Sequence, residues 1–233
     1  MNLLLTVASF NLKFKGISLE DIKQGFADAP KHPFAIIALI GIIILVAAIF
    51  KMKKVKLTTT MMTHIGIALA LGTVLKMVKF YQAPMGGSAT LGSMVPIFLI
   101  ALFYGPEVGF LTGLLFGIID FILAPYILHP VQVLFDYPLP FIAIGIAGYF
   151  KDKGKVSMMV GVALAIVARF LCHFISGVVF YGSYAPAGMS AALYSFVYNI
   201  TYLGPDGLLC LVILAVLPMK QINTILSKTR LSN

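Results

Sequence analysis

The chain has 233 residues, of which 60% are hydrophobic and only 11% are charged, with a mean hydropathy of +1.01. Soluble domains carry about a quarter charged residues, so this composition excludes an ordinary soluble protein and predicts a polytopic helical membrane protein. The net charge of +9 does not indicate a nucleic-acid partner, because the lysines cluster beside apolar runs, as in the cytoplasmic loops of membrane proteins.

The first predicted element is an apolar span over residues 33–50, directly followed by the lysine-rich segment KMKKVK at 51–56. Residues 1–32 lack the basic start and the small-residue cleavage site of a secretory signal, so we expect no cleaved signal peptide. We predict that residues 1–56 form an accessory N-terminal segment with one transmembrane helix and that residues 57–233 form the functional core.

Six further apolar spans fill the core. Spans of this length and composition cross a bilayer as helices, so we predict an all-α fold with six core helices and one extra N-terminal helix. The six spans cover approximately residues 58–80, 91–104, 106–124, 131–150, 156–181 and 190–218.

Basic clusters predict the orientation in the membrane. Seven crossings place KMKKVK (51–56), KDKGK (151–155) and the C-terminal tail on one side, which the positive-inside rule identifies as cytoplasmic. The N-terminus is then outside. Lys76 and Lys79 lie near the outer end of their span, where we expect their side chains to extend towards the membrane surface.

Three polar residues lie in three different spans at a similar depth. With a rise of about 1.5 Å per residue, Asp136 lies about 8 Å below the outer helix end, His173 about 12 Å and Asn199 about 13 Å. Ionisable side chains are costly in lipid and indicate functional sites by default. A single His or Asn in a helix bundle also forms interhelical hydrogen bonds, so each residue alone has a structural alternative.

Helical spacing places further candidates beside these three residues. Gln132 and Asp136 are four residues apart and share a face, as do His173, Gly177 and Tyr181. The missing side chain of Gly177 leaves room for a ligand against the backbone. Together these residues predict a pocket for a flat, polar, cationic molecule, with aromatic rings available for stacking. Those rings belong to Tyr126, Tyr137, Tyr181 and Tyr194.

The remaining ionisable residues and the cysteines have structural interpretations. Arg169 lies near mid-membrane, about 18 Å from the outer end of its helix, and needs a partner, for which Asp206 is the candidate. Asp120 forms either a pocket wall or a loop anchor. Cys172 and Cys210 lie inside apolar runs, where we expect packing thiols rather than a disulfide or a metal site.

The sequence contains no phosphate-binding loop, no H-E-x-x-H motif and no carboxylate cluster with metal-ligand spacing. We therefore predict no cofactor and no metal, and a binding protein that depends on a gradient or a partner for energy. An intramembrane enzyme with Asp136 and His173 as acid and base is the alternative from a different class. The absence of a nucleophile beside this pair argues against it.

The sequence resembles the thiamine-specific S components of energy-coupling factor (ECF) transporters over about residues 60–218. The matching segments are LGSMVPIFLIALFYGPEVGFLTG (91–113), APYILHPVQVLFDYPLPFIAIGIAG (124–148), HFISGVVFYGSYAPAG (173–188) and YSFVYN (194–199). The resemblance implies a bacterial plasma-membrane subunit with six helices. Such a subunit captures thiamine outside and docks on a transmembrane coupling subunit and two ATPases, without catalysis of its own. An S component for another vitamin is the nearest alternative.

The resemblance also implies roles for individual residues. The family's pocket acid falls on Asp136, where many members have Glu, and its small-residue docking surface falls on Gly66 and Ala70. Asp136 is expected to face the thiazolium or the aminopyrimidine of thiamine, and His173 and Asn199 to hydrogen-bond ring nitrogens. The other substrate-binding positions of the family fall on Tyr137, Gly177, Tyr181, Tyr194, Tyr126 and Gln132.

This chain departs from the family in having no tryptophan. Tyr181 occupies one position where some members stack the ligand on Trp. Gly86 and Gly87 stand in the outer loop where another Trp is found, which leaves the loop's contact with the ligand open.

Overall fold

The computed structural model describes residues 33–52, 55–219, 221–222 and 224. The predicted charged stretch at 1–32, part of the KMKKVK cluster and the C-terminal Lys220, Lys228 and Arg230 lie outside the described residues. The chain divides into two compact units, residues 1–41 and 42–233, and every element from residue 59 onward belongs to the second unit.

Helices account for nearly all of the regular structure. In the described part of the chain, one short antiparallel hairpin, formed by Lys79–Gln82 and Ser88–Thr90, follows the second helix and departs from a purely helical fold. Apart from two three-residue 3₁₀ turns (Pro84–Gly86 and Gly182–Tyr184), the elements are α1 (Pro33–Met52), α2 (Thr59–Met77), β1 (Lys79–Gln82), β2 (Ser88–Thr90), α3 (Val95–Tyr104), α4 (Pro106–Leu123), α5 (Pro130–Asp136), α6 (Pro138–Ile142), a 3₁₀ helix (Ala143–Phe150), α7 (Lys155–Phe180) and α8 (Ala191–Val216).

The second unit has the predicted arrangement of six membrane-embedded helical segments, to which α1 adds the extra N-terminal helix. In the described part of the chain, five segments are long and apolar enough to cross a membrane, and α5, α6 and the 3₁₀ helix together form one of them. The sixth, α3, has only 10 residues, or about 15 Å of helix. The protein is therefore an all-α, multi-pass membrane protein.

Local sequence signals explain where several helices begin. The side chains of Thr58 and Ser190 accept hydrogen bonds from backbone amides of the first turns of α2 and α8, each at 3.2 Å. Prolines in the first turns of α3 and α4 remove amides that have no intrahelical partner there. Gly105 joins these two helices with φ of 97°, a conformation that favours glycine.

The core lies where α3, α4, the 3₁₀ helix, α7 and α8 meet. Phe98, Phe116 and Phe141 are almost fully buried, and the rings of Phe116 and Phe141 meet edge to face with centroids 4.9 Å apart. Because lipid is as apolar as these side chains, close packing holds such a core together more than transfer out of water does. Cys210 is buried in this core and both cysteines are free, as predicted.

The predicted span 131–150 is broken immediately after Asp136. Tyr137, between α5 and α6, departs from ideal helical angles, with φ of −119° and ψ of −76°. Pro138 and Pro140 lack the amide hydrogens that would continue the ladder of α5, so the helix ends there. The break places the Asp136 side chain at the end of a short helix inside the protein.

Two glycines of α4 allow it to lie directly against this break. A methyl carbon added at Gly113 would lie 2.1 Å from the carbonyl oxygen of Phe141, and one added at Gly117 would lie 2.7 Å from that of Tyr137. Any side chain at these positions would therefore push α4 away from the backbone that carries Asp136.

We expect Gly113→Ala to destabilise the protein by about 1–3 kcal/mol, because overpacking forces the backbone of α4 and α6 apart. Thermal unfolding of the purified protein in detergent measures the effect. Gly66→Ala on α2 is the matched control, since an added methyl group there meets nothing within 4 Å. Equal melting temperatures for the two variants would contradict the close approach of α4 to the backbone of Phe141.

Candidate functional site

One cavity collects most of the predicted site residues. The cavity has a volume of about 100 Å³ and lies in a recess with about 840 Å³ of empty space, its open mouth included. Its walls come from α2, the hairpin, α4, α5, α7 and α8. Of the nine predicted substrate-binding residues, eight line it: Tyr126, Asp136, Tyr137, His173, Gly177, Tyr181, Tyr194 and Asn199.

The Asp136 carboxylate lies at the centre of a polar cluster. Its Oδ2 accepts hydrogen bonds from Gln132 Nε2 at 2.6 Å and from the Tyr181 hydroxyl at 3.3 Å. His173 Nδ1 lies 3.4 Å from Oδ1. Two helices thus supply the partners that a charge needs away from water.

Gln132, the ninth predicted residue, shares the face of Asp136 but does not line the cavity. It is fully buried, and its Oε1 accepts from the amide of Leu128 at 2.9 Å. Its Nε2 donates to the carbonyl of Tyr126 at 3.1 Å as well as to Asp136. The geometry makes Gln132 a positioning residue, which connects the loop before α5 to the carboxylate.

The loop between α4 and α5 is held by further side chains. The Tyr137 hydroxyl donates to the carbonyl of Ala124 at 2.9 Å and accepts from the amide of Tyr126 at 2.8 Å. His129 Nδ1 accepts from the amide of Val131 at 3.1 Å at the start of α5. Burial lowers the pKa of His129, which favours the neutral imidazole that can accept this bond.

Asn199 uses its amide within the protein. Its Nδ2 donates to the carbonyls of Ser195 at 2.8 Å and His173 at 3.3 Å, and its Oδ1 accepts from the Tyr202 hydroxyl at 2.7 Å. The bond to His173 joins α8 to α7, which is the structural alternative considered for Asn199, an interhelical hydrogen bond. The space expected beside Gly177 is also occupied, because an added methyl carbon there would lie 2.1 Å from Ser195 Oγ. Gly177 therefore allows α7 and α8 to approach closely.

The sequence predicted that the Lys76 side chain extends towards the membrane surface, but the structure shows that it does not. Its ammonium group lies 2.5 Å from Asp120 Oδ2, with only 19% of the lysine side chain and 8% of the aspartate side chain exposed. It also lies 5.0 Å from the centroid of the Phe141 ring. Both residues line the cavity, so Asp120 forms a cavity wall, one of the two alternatives left open for it.

Arg169 is buried at the cavity wall without the predicted partner. Its guanidinium carbon lies 4.2 Å from the centroid of the Phe141 ring, and its Nε and Nη1 have no hydrogen-bond partner among the described residues. Asp206 instead accepts from the amide and hydroxyl of Thr90, at 3.0 and 2.9 Å. The Asp206 carboxylate thereby anchors strand β2 to α8.

The hairpin covers the cavity against a row of tyrosines on α8. The Tyr198 hydroxyl donates to the carbonyl of Pro84 and accepts from the amide of Gly87 at 3.3 Å. A methyl carbon at Gly87 would lie 2.8 Å from the Tyr202 ring, so no larger residue fits at that position. Met85 lies in the connection between the two strands and lines the cavity, and its sulfur lies 3.9 Å from the Tyr194 hydroxyl.

Sequence reasoning missed several residues that line the cavity. Tyr198 and Tyr202 follow the predicted Tyr194 at intervals of four residues, a spacing that could have identified both on the same face of α8. Lys76 and Met85 had no comparable signal, because their positions depend on contacts with α4 and with the fold of the hairpin.

The chain matches, over residues 62–226, the protein family described as Thiamine transporter protein (Thia_YuaJ). It is 39% identical over 171 residues to Thiamine transporter ThiT of Bacillus subtilis (strain 168), covering 67% of this chain and 88% of that protein. It is 31% identical over 122 residues to Thiamine transporter ThiT of Lacticaseibacillus paracasei, covering 46% of this chain and 61% of that protein.

A solved structure of ThiT from Listeria monocytogenes is similar in fold, with a TM-score of 0.57 and 24% sequence identity. The similarity covers 73% of this chain and 94% of the solved one.

We expect Gln132→Leu to lower the stability of the ligand-free protein, because it removes three hydrogen bonds and leaves buried groups unsatisfied. Each unsatisfied group costs about 1–3 kcal/mol. Thermal unfolding in detergent checks this, with Gln221→Leu at an exposed position as the control. A Gln132→Leu protein as stable as the control would show that Gln132 does not hold Asp136 and the loop.

Proposed function

Since this chain belongs to the thiamine transporter protein family, we propose that it takes part in thiamine uptake as a membrane-embedded S component that binds thiamine with high affinity. The observation that carries the proposal is the Asp136 carboxylate, held by Gln132, His173 and Tyr181 in the wall of an aromatic cavity. A cation and a flat heterocycle are the two chemical features of thiamine, and this wall offers a partner for each.

The proposed binding mode places the thiazolium near Asp136. The attraction between opposite charges is strong in a cavity with little water. The rings of Tyr126 and Tyr181, 6.2 Å apart and nearly parallel, offer aromatic faces to a cationic or heterocyclic ring. Tyr194 and Tyr137 complete the aromatic surface of the cavity.

Unsatisfied polar atoms support a ligand that also carries hydrogen-bonding groups. Arg169 Nε and Nη1 and His173 Nε2 are buried without partners among the described residues, and both residues line the cavity. Buried polar groups in folded proteins are nearly always hydrogen-bonded. In our proposal, the hydroxyl of thiamine and a ring nitrogen form hydrogen bonds with these atoms.

The ATP-driven step belongs, in this proposal, to partner subunits. The sequence contains no phosphate-binding loop, so ATP hydrolysis is assigned to two ATPases that act through a transmembrane coupling subunit. Gly66 and Ala70 are exposed on the same face of α2, with open space above Gly66. Small residues allow a second helix to approach closely, which supports this face as the docking surface for the coupling subunit.

We also propose the orientation and the division of the chain that the basic clusters predict. The N-terminus is outside and the C-terminus is cytoplasmic, so the cavity opens to the outside. Residues 1–56 are an accessory segment, and residues 57–233 are the thiamine-binding core.

Calorimetry on the purified protein tests the ligand. We expect thiamine to bind with a dissociation constant well below micromolar and Asp136→Asn to weaken binding by about 2–5 kcal/mol, as when a buried charge loses its partner. Asp152→Asn, at an exposed loop position, is the control and should bind like the wild type. Wild-type affinity in Asp136→Asn would exclude the proposed contact, and a folded wild-type protein without thiamine binding would overturn the proposal.

Uptake into vesicles that contain the coupling subunit and the ATPases tests the docking surface. We expect Gly66→Leu and Ala70→Leu to keep thiamine affinity but to abolish ATP-driven uptake, because the bulky side chains hold the partner helix away. Ala192→Leu, at an exposed position of α8, is the matched control. Full uptake by both α2 variants would remove this face from the proposal.

A further inference from the structure

Met85 lines the cavity from the connection between the hairpin strands, and the binding mode described above gives it no role. Its backbone has φ of 60° and ψ of 23°, the left-handed conformation that is unfavourable for a residue with a β-carbon. Among the described residues, the other non-glycine with positive φ is Asp152, which lies in an exposed loop. A short polar side chain such as aspartate tolerates this conformation through local hydrogen bonds. Methionine has no such compensation, so its surroundings must hold it there.

Contacts on both sides of Met85 hold its backbone. The Tyr198 hydroxyl donates to the carbonyl of Pro84 and accepts from the amide of Gly87 at 3.3 Å. The amide of Ala83 donates to the carbonyl of Gly87 at 2.7 Å and closes the connection. Unfavourable backbone angles that are fixed by the surrounding structure cluster at ligand-contacting segments. The conformation of Met85 is therefore a reason to look for a function of its side chain.

The Met85 thioether lies beside tyrosines that line the same cavity. Its sulfur lies 3.9 Å from the Tyr194 hydroxyl on α8. The next residue, Gly86, approaches the loop before α5, because a methyl carbon added there would lie 3.6 Å from the β-carbon of Tyr126. The connection thus extends from α8 to that loop, with Met85 in its middle. A thioether is polarizable and adaptable in shape, and it makes favourable contacts with aromatic rings.

We propose that Met85 is a ligand-contacting residue whose thioether covers a heterocyclic ring of thiamine, and that the left-handed backbone conformation directs this side chain into the cavity. The inference rests on the proposed function and deepens it, because it assigns the contact of the outer loop that the sequence left open. Asp136 contacts the ligand from α5, whereas Met85 adds an apolar contact from the hairpin. The unfavourable conformation of Met85 is retained because the ligand contact depends on it.

Glycine at position 85 should change stability and affinity in different ways. Met85→Gly removes the unfavourable conformation and the thioether together. We expect the melting temperature of the ligand-free protein to equal or exceed that of the wild type, whereas thiamine should bind about tenfold more weakly because the thioether contact is lost. Met85→Ala keeps a β-carbon and should bind as weakly, which separates the lost contact from added flexibility. Asp152→Gly, which removes the other positive φ, is the matched control and should keep wild-type affinity.

Oxidation of the wild-type protein by hydrogen peroxide measures the contact without a variant. Peroxide transfers one oxygen atom to the sulfur and leaves methionine sulfoxide and water. Saturating thiamine should slow the oxidation of Met85 severalfold, because the ligand covers its sulfur. Met77, which is 76% exposed at the end of α2, should react at the same rate with and without thiamine. Mass spectrometry of the peptides that contain the two methionines gives both rates.

Calorimetry and thermal unfolding of the variants complete the test. Wild-type affinity in Met85→Ala, or a Met85→Gly protein that unfolds at a lower temperature than the wild type, overturns the proposal and leaves Met85 a structural residue of the hairpin. Equal oxidation of Met85 with and without thiamine also overturns it, provided that thiamine binds. A folded wild-type protein that does not bind thiamine overturns the proposed function itself.

Discussion

The carboxylate of Asp136 is the constraint on which the rest of the site depends. A charge at this position is stable only with hydrogen-bond partners, and Gln132, Tyr181 and His173 supply them. Its position depends in turn on the end of α5, where Pro138 prevents the helix from continuing. Gly113 and Gly117 then allow α4 to support the broken segment at van der Waals distance. The packing of α4 and the hydrogen bonds of Asp136 therefore both depend on the segment where α5 ends.

The proposed binding and docking surfaces involve different residues of the fold. The hairpin and α8 form part of the cavity wall, and Asp206 and Tyr198 on α8 hold strand β2 and the hairpin connection in place. The small residues of α2 lie on an exposed face of that helix. In this proposal the partner contacts the exposed face of α2, while Lys76 of the same helix lines the cavity. The pair of Lys76 on α2 with Asp120 on α4 connects the proposed docking helix to the cavity wall.

Most of the fold and much of the site could be predicted from the sequence. Long apolar runs gave the helices, and residues such as Asp136 and His173 were recognised because charges and imidazoles are rare in lipid. The buried position of Lys76 could not be predicted, since a lysine near a helix end can extend to the surface as well as inwards. Asp206 was a candidate partner for Arg169 in the sequence, whereas the hairpin brings Thr90 to it instead. Such contacts depend on tertiary structure, which helical spacing does not encode.

The most direct test of this account is an experimental structure of the protein with bound thiamine. The account predicts that thiamine fills the cavity with its thiazolium ring within about 5 Å of the Asp136 carboxylate, the range in which an opposite charge stabilises the ionised form. It also predicts that Arg169 donates to an oxygen of the ligand. Thiamine bound outside this cavity, or with its thiazolium directed away from Asp136, would contradict the central claim.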